Sequence, residues 1–192
     1  MKLIETERLI LRGWHLGDLD DLHEYAKNPN VGTMAGWEPH TDKKSSLKIH
    51  KSFINDGNIW AITLNDTGKA IGSLRIYGDE NRGEFTKRNA AKLISYALSE
   101  DYWDNGYMTE AVKQAVKYAF GEMNAELLTV FYIPQNTRTK RVIVKCGFEY
   151  ETTIFEGYRN YDGQVFDSIV YSISRNDYFE KFRRFPCPTN SE

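Results

Sequence analysis

The 192-residue chain has two cysteines, Cys146 and Cys187. They lie far apart, with no Cys-x-x-Cys or His-Cys spacing, which argues against a disulfide framework and a structural zinc site; a reducing, intracellular setting and no metal are expected. No run of about 18 apolar residues occurs, and the N-terminus "MKLIETERLILRGW" has charges where a signal peptide would have an apolar stretch. The expectation is a cytoplasmic protein that does not enter membrane. A formal charge of -2 denies it the basic field that duplex nucleic acid requires. A Gly-x-Gly-x-x-Gly turn after the first strand is also missing, which disfavours a dinucleotide-binding Rossmann domain. What the chain does have is 41% hydrophobic and 14% aromatic residues, enough for a sizeable core.

The pattern alternates between strand and helix signals. "RLILRGW" (8–14) reads as a strand and "LGDLDDLHEYAKN" (16–28) as a helix with acids early and lysine late. "VGTMAGWEPH" (31–40) reads as a loop carrying Met34 and Trp37, and 42–56 as a second helix. "IWAITL" (59–64) and "AIGSLRIY" (70–77) flank the turn "NDTGK", which makes a hairpin. A polar loop (78–90) leads to a third meander strand (91–99). After a helix from 107 to 122 come a strand (127–133), a short helix (136–148) ending at Gly147, two more strands (150–155 and 165–173) and a last helix over 176–184. Without repeats or linkers, residues 1–192 are expected to form one domain, a mixed α/β layer structure.

The stretch "YWDNGYMTEAVKQAVKYAF" (102–120) carries the chemistry. Met108, Ala111, Val112, Ala115, Val116, Ala119, Phe120 and Met123 are expected to share one helical face. The helix start has free N–H groups and a positive dipole end, which together suit a phosphate, and Gly106 supplies the backbone angles of such a turn. A helix start capped by Asn105 or Thr109, with no ligand, fits these residues as well.

Wider context separates the two readings. "ISYALSEDYWDNGYMTEAV", followed some way downstream by "IPQNTRTKRVIVKCGF", resembles the GNAT superfamily of N-acetyltransferases, in the branch of the ribosomal-protein N-terminal alanine acetyltransferases. Tyr96, Leu98, Tyr102, Trp103, Gly106, Tyr107, Thr109, Glu110, Ala111, Asn136, Lys145, Gly147 and Phe148 match that pattern. "ETERLILR" and "FEGYRNYDGQVFDSIVYSI" extend the likeness over nearly the whole chain.

The resemblance implies a mostly antiparallel, splayed central sheet flanked by helices, with acetyl-CoA as cosubstrate. It places the pyrophosphate on the amides of Asn105, Gly106, Tyr107, Met108 and Thr109, and the pantetheine arm along the strand at Ala97 and Leu98, hydrogen-bonded by Asn136. Arg141 and Lys145, beside Arg138 and Lys140, suit the ribose phosphate. The acceptor is an amine, a protein N-terminus or a small molecule, and a homodimer stays open. A non-catalytic acyl-CoA-binding domain is the alternative.

Three positions depart from the pattern. Asp104 stands where the family has its first loop glycine and is expected to face away from the pyrophosphate or cap the helix. Met108 replaces glycine or alanine. Lys92 holds a strand position where many members carry a glutamate base, and a lysine near 10.4 is no base at neutral pH. Thr139 is the candidate acid, Glu84 the candidate base, and Met34 and Trp37 are expected to line the acceptor pocket. Cys146 is expected in the core.

Overall fold

The computed structural model describes residues 1–183; Cys187 and the last residue of the helix expected at 176–184 lie outside them. Eight strands form one sheet in the order β1-β2-β3-β4-β5-β6-β8-β7: β1 (Ile4–Glu5), β2 (Leu9–Arg12), β3 (Ile59–Leu64), β4 (Ala70–Gly78), β5 (Ala91–Leu98), β6 (Leu127–Tyr132), β7 (Glu149–Arg159) and β8 (Val165–Ser174). Every neighbouring pair is antiparallel except β5 and β6, which run parallel. The helices are α1 (Leu19–Ala26), α2 (Pro29–Ala35), α3 (Lys43–Asp56), α4 (Glu84–Lys87), α5 (Tyr107–Gly121), α6 (Thr137–Lys145) and α7 (Arg175–Arg183).

Alternation along β3 shows how the layers are built. Trp60 and Ile62 join a core with the buried side of α5, while Ile59 and Ala61 join a second core with Trp14, Leu22, Tyr25, Ala26 and Val31. Both faces of β3 are covered, so the strand reads as a continuous apolar run. α5 buries Met108, Ala111, Val112, Ala115, Val116, Ala119 and Phe120 of the face expected from its periodicity, while Met123 falls past the end of the helix, partly buried against the same core.

Three expectations are corrected. Residues 31–40 are not all loop: Pro29–Ala35 form α2, with the Asn28 side chain accepting from the Asn30 N–H and Gly36 closing the helix at φ 89°. The 78–90 loop contains the single turn α4. β7 runs past 155 to Arg159, with an irregularity between Ile154 and Tyr158 where Glu156 has φ 52°.

The sheet opens between its parallel strands. β5 and β6 are paired only at Ala91, Lys92 and Leu93, so among the described residues the rest of β5 has no strand on that side. On the other side, Asp79 N–H bonds to Ala91 C=O and Ser99 N–H to Ile71 C=O. The register with β4 is unbroken between these two bonds. Backbone groups alternate in direction along a strand, so odd residues of β5 face β4 and even residues face the opening.

Candidate active site

The opening is a cleft with three walls. β5 contributes Tyr96, Ala97 and Leu98; the loop before α5 and its first turn contribute Trp103, Asp104, Gly106, Tyr107, Met108 and Thr109; α6 contributes Asn136, Arg138, Thr139, Arg141, Val142 and Lys145. Met34 and Ala35 of α2 close one end.

At the floor, the alternation turns the N–H and C=O of Tyr96 and the N–H of Leu98 toward the cleft. The Leu98 carbonyl is already taken by the Trp103 indole N–H at 2.9 Å. Ala97, on the expected path of the pantetheine arm, directs its amide to β4, and its methyl packs in the second core.

At the mouth, Gly106 occupies the N-cap position of α5 at φ 82°, and no side chain among the described residues caps the helix. Asn105 does not cap it: its amide donates to the Trp103 carbonyl at 2.8 Å. The Tyr107, Met108 and Thr109 N–H groups belong to the helix's unpaired first turn, because intrahelical bonding starts with Glu110 N–H to Gly106 C=O at 3.0 Å. α6 differs, since Asn136 Oδ1 accepts from the Thr139 N–H at 3.1 Å. Of these two helix starts, that of α5 is the one left open for an anion.

Arg8 holds the loop from behind, a contact that local sequence patterns do not signal. Its Nη1 donates to the Asn105 carbonyl at 3.1 Å, its Nε to Glu110 at 2.8 Å, and its guanidinium lies 4.4 Å from the Tyr107 ring centroid. Burial alone would raise the Glu110 carboxyl, but bonds from Thr6 and Arg8 hold it below the usual range.

Asp104 does not cap α5, and its carboxylate faces the arginines of α6. At φ 59° its carboxylate accepts from Arg141 Nη2 at 2.7 Å and lies 3.7 Å from Arg138 Nε. It is the one acidic side chain lining the cleft among the described residues.

The remaining expected residues divide. Thr139 lines the cleft with the buried Tyr96 hydroxyl as neighbour, and burial pushes that phenol well above its ordinary value. Asn136 lines the cleft, with its amide nitrogen donating to the Met34 carbonyl at 3.3 Å. Met34 is at the cleft, whereas Trp37 packs behind it against Tyr25 and donates its indole N–H to the Ala26 carbonyl at 3.2 Å. Glu84 is not brought to the cleft: α4 is a single exposed turn, and the carboxylate there pairs with Lys87. Lys92 is buried, donates to Asn89 Oδ1 at 2.6 Å and is lowered by burial. Cys146 is core, and burial pushes its thiol up to about 12.

This geometry meets an independent finding. The model of the acetyltransferase (GNAT) domain matches residues 8–149, and the chain belongs to that family. The chain is 26% identical over 184 residues to the uncharacterized N-acetyltransferase p20 of Bacillus licheniformis, covering 93% of this chain and 99% of the relative. It is 24% identical over 190 residues to the [ribosomal protein uS5]-alanine N-acetyltransferase of Escherichia coli, covering 91% and 92%. In fold it is similar to a GNAT-family acetyltransferase from Bacillus anthracis, with a TM-score of 0.80, 21% identity, and 91% and 99% of the two chains covered. The protein is thus an N-acetyltransferase by family. Among the described residues no helix is long and apolar enough to cross a membrane.

Proposed function

We propose that the protein transfers acetyl directly from acetyl-CoA to a primary amine, with a protein α-amino group as the favoured acceptor and a small-molecule amine as the other class. The observation that carries this reading is the uncapped start of α5, opening into a cleft whose far wall is basic and whose floor is unpaired strand backbone. Helix amides of Tyr107, Met108 and Thr109 suit a diphosphate, and Tyr96 and Leu98 offer the backbone partners of an added strand, which an amide-bearing pantetheine arm can take. Arg141, Arg138 and Lys145 supply charge for the remaining phosphate. Acetyl-CoA supplies the acetyl group as a thioester.

The chain's own residues then orient and donate. Thr139 holds a hydroxyl proton at the cleft for the departing sulfur. Among the described residues no carboxylate other than Asp104 lines the cleft, which favours an acceptor that needs little help losing its proton. An α-amino group of pKa about 7.7–8.0 meets that condition better than a lysine side chain near 10.4. The uS5-alanine enzyme, named for such an acceptor, supports the choice.

The test follows free thiol from acetyl-CoA with a peptide bearing a free N-terminal alanine, the same peptide N-terminally blocked, and a polyamine. Release with the free peptide and none with the blocked one is expected. Release with the polyamine alone would move the acceptor to the small-molecule class, and binding without any release would leave an acyl-CoA-binding domain.

A further inference from the structure

The carboxylate of Asp104 sits where a ligand phosphate has most to gain. It bridges the loop before α5 to α6 by accepting from Arg141 at 2.7 Å, with Arg138 Nε at 3.7 Å. Arg138 in turn lies over the Trp103 ring at 4.3 Å, so both arginines are gathered at this carboxylate. The three side chains are more than half exposed, so the pairing is open to exchange with an incoming anion. The backbone supports the arrangement: φ 59° at Asp104 is a left-handed conformation that Asp and Asn tolerate better than most residues.

We infer that Asp104 is a specificity-determining latch, which occupies Arg141 in the free protein and must release it to the 3′-phosphate of coenzyme A. The inference rests on the acetyl-CoA reading of the cleft. The three successive helix amides are fixed and close together, which suits two phosphates joined by one oxygen. Arg141 stands across the cleft on the exposed side of α6, within reach of a phosphate carried on a separate branch. A doubly charged monophosphate and a carboxylate then compete for one guanidinium. Entry of the full cofactor is an anion exchange, and departure of free coenzyme A runs the exchange backwards, with Asp104 recapturing Arg141. The latch weakens the hold on the 3′-phosphate, lessens the preference for coenzyme A over dephospho-coenzyme A, and favours product release, a step that often limits turnover.

Calorimetry with coenzyme A and dephospho-coenzyme A at low salt, on the unaltered protein, Asp104→Asn, Arg141→Ala and the double variant, tests it. Asn keeps the shape and the left-handed backbone while removing the charge. Asp104→Asn is expected to tighten coenzyme A about two- to fivefold, the range of an exposed ion pair, with the gain fading at high salt. Dephospho-coenzyme A should stay within about twofold, since it has no group to exchange at Arg141. In the Arg141→Ala background the gain should vanish, as coupled sites require. Unchanged or weaker coenzyme A binding by folded Asp104→Asn would overturn the latch, as would an equal gain for the dephospho form. If the unaltered protein bound neither ligand, the cofactor reading beneath it would fall and the latch with it.

Discussion

Arg8 and Glu110 stand 102 residues apart in the chain and meet with a guanidinium-to-carboxylate distance of 2.8 Å, while the Arg8 backbone N–H reaches the same carboxylate at 2.9 Å. Thr6 adds its hydroxyl at 2.6 Å. One carboxylate therefore joins the turn between β1 and β2 to the first turn of α5, and Arg8 passes the restraint on to Asn105.

Glu110→Gln should cost about 1–3 kcal/mol, because a part-buried, charge-assisted network loses its anion. It should also raise the Michaelis constant for acetyl-CoA as the loop loosens. The pH sign follows from the depressed carboxyl. Its stabilisation is present in full above the unfolded value of about 4.3 and is lost as pH falls through the native value. Acid-unfolding curves of the two proteins should converge below that window. A constant gap down to the lowest pH would show that the charge of Glu110 is not what stabilises.

Gly106 tests the mouth of the cleft. A Cβ there would meet only Arg8 Nη2 at 3.5 Å, so space is not the obstacle; the φ of 82° is. Gly106→Ala should cost about 1–2 kcal/mol and weaken acetyl-CoA, with Gly106→Asn milder because Asn visits the left-handed region more readily. Equal affinity of all three proteins in calorimetry would detach the phosphate site from this turn.

Gly36, next to Met34 and Ala35, tests the proposed acceptor end of the cleft. Its φ is 89°, and a Cβ would fall 1.7 Å from the Tyr158 hydroxyl, so Gly36→Ala must drive Tyr158 from its place beside Phe131. The acceptor's Michaelis constant should rise while that of acetyl-CoA holds. Adding Tyr158→Phe should recover part of the loss, the remainder being backbone strain of about 1–3 kcal/mol. No recovery would mean that the hydroxyl contact is not the source.

Thr139→Ala should lower turnover by about 100-fold if its hydroxyl protonates the sulfur. Pre-steady-state thiol release reads that step directly. Full activity would pass the role to water or to another hydroxyl.

Local patterns disclosed much of this molecule. The hairpin of β3 and β4 and the apolar face of α5 follow from periods of two and 3.6, and the glycine before α5 marks its turn. α2 had a signal that its glycines and bulky residues obscured: Asn28-Pro29, a capping residue followed by proline at the first helical position. The full length of β7 is hidden in the sequence because its irregularity breaks the alternation at Glu156. Pairings across the fold leave no such trace. Arg8 with Glu110 and Asp104 with Arg141 depend on how α5 is set against β2 and α6, and the free face of β5 depends on a ladder that ends at Leu93. The family pattern pointed to the cofactor wall, whereas Glu84 and Trp37 rested on loop position, which does not fix where a side chain goes.

The most direct test of the account is two-substrate steady-state kinetics with acetyl-CoA and an alanine-terminated peptide both varied. The buried Cys146 thiol, held up to about 12 and donating to the Thr109 carbonyl, is a poor nucleophile near neutral pH, which supports the proposed direct transfer with both substrates bound. Intersecting double-reciprocal lines, kept in a Cys146→Ala variant, are the predicted result. Parallel lines, or an acetyl group trapped on Cys146, would contradict it.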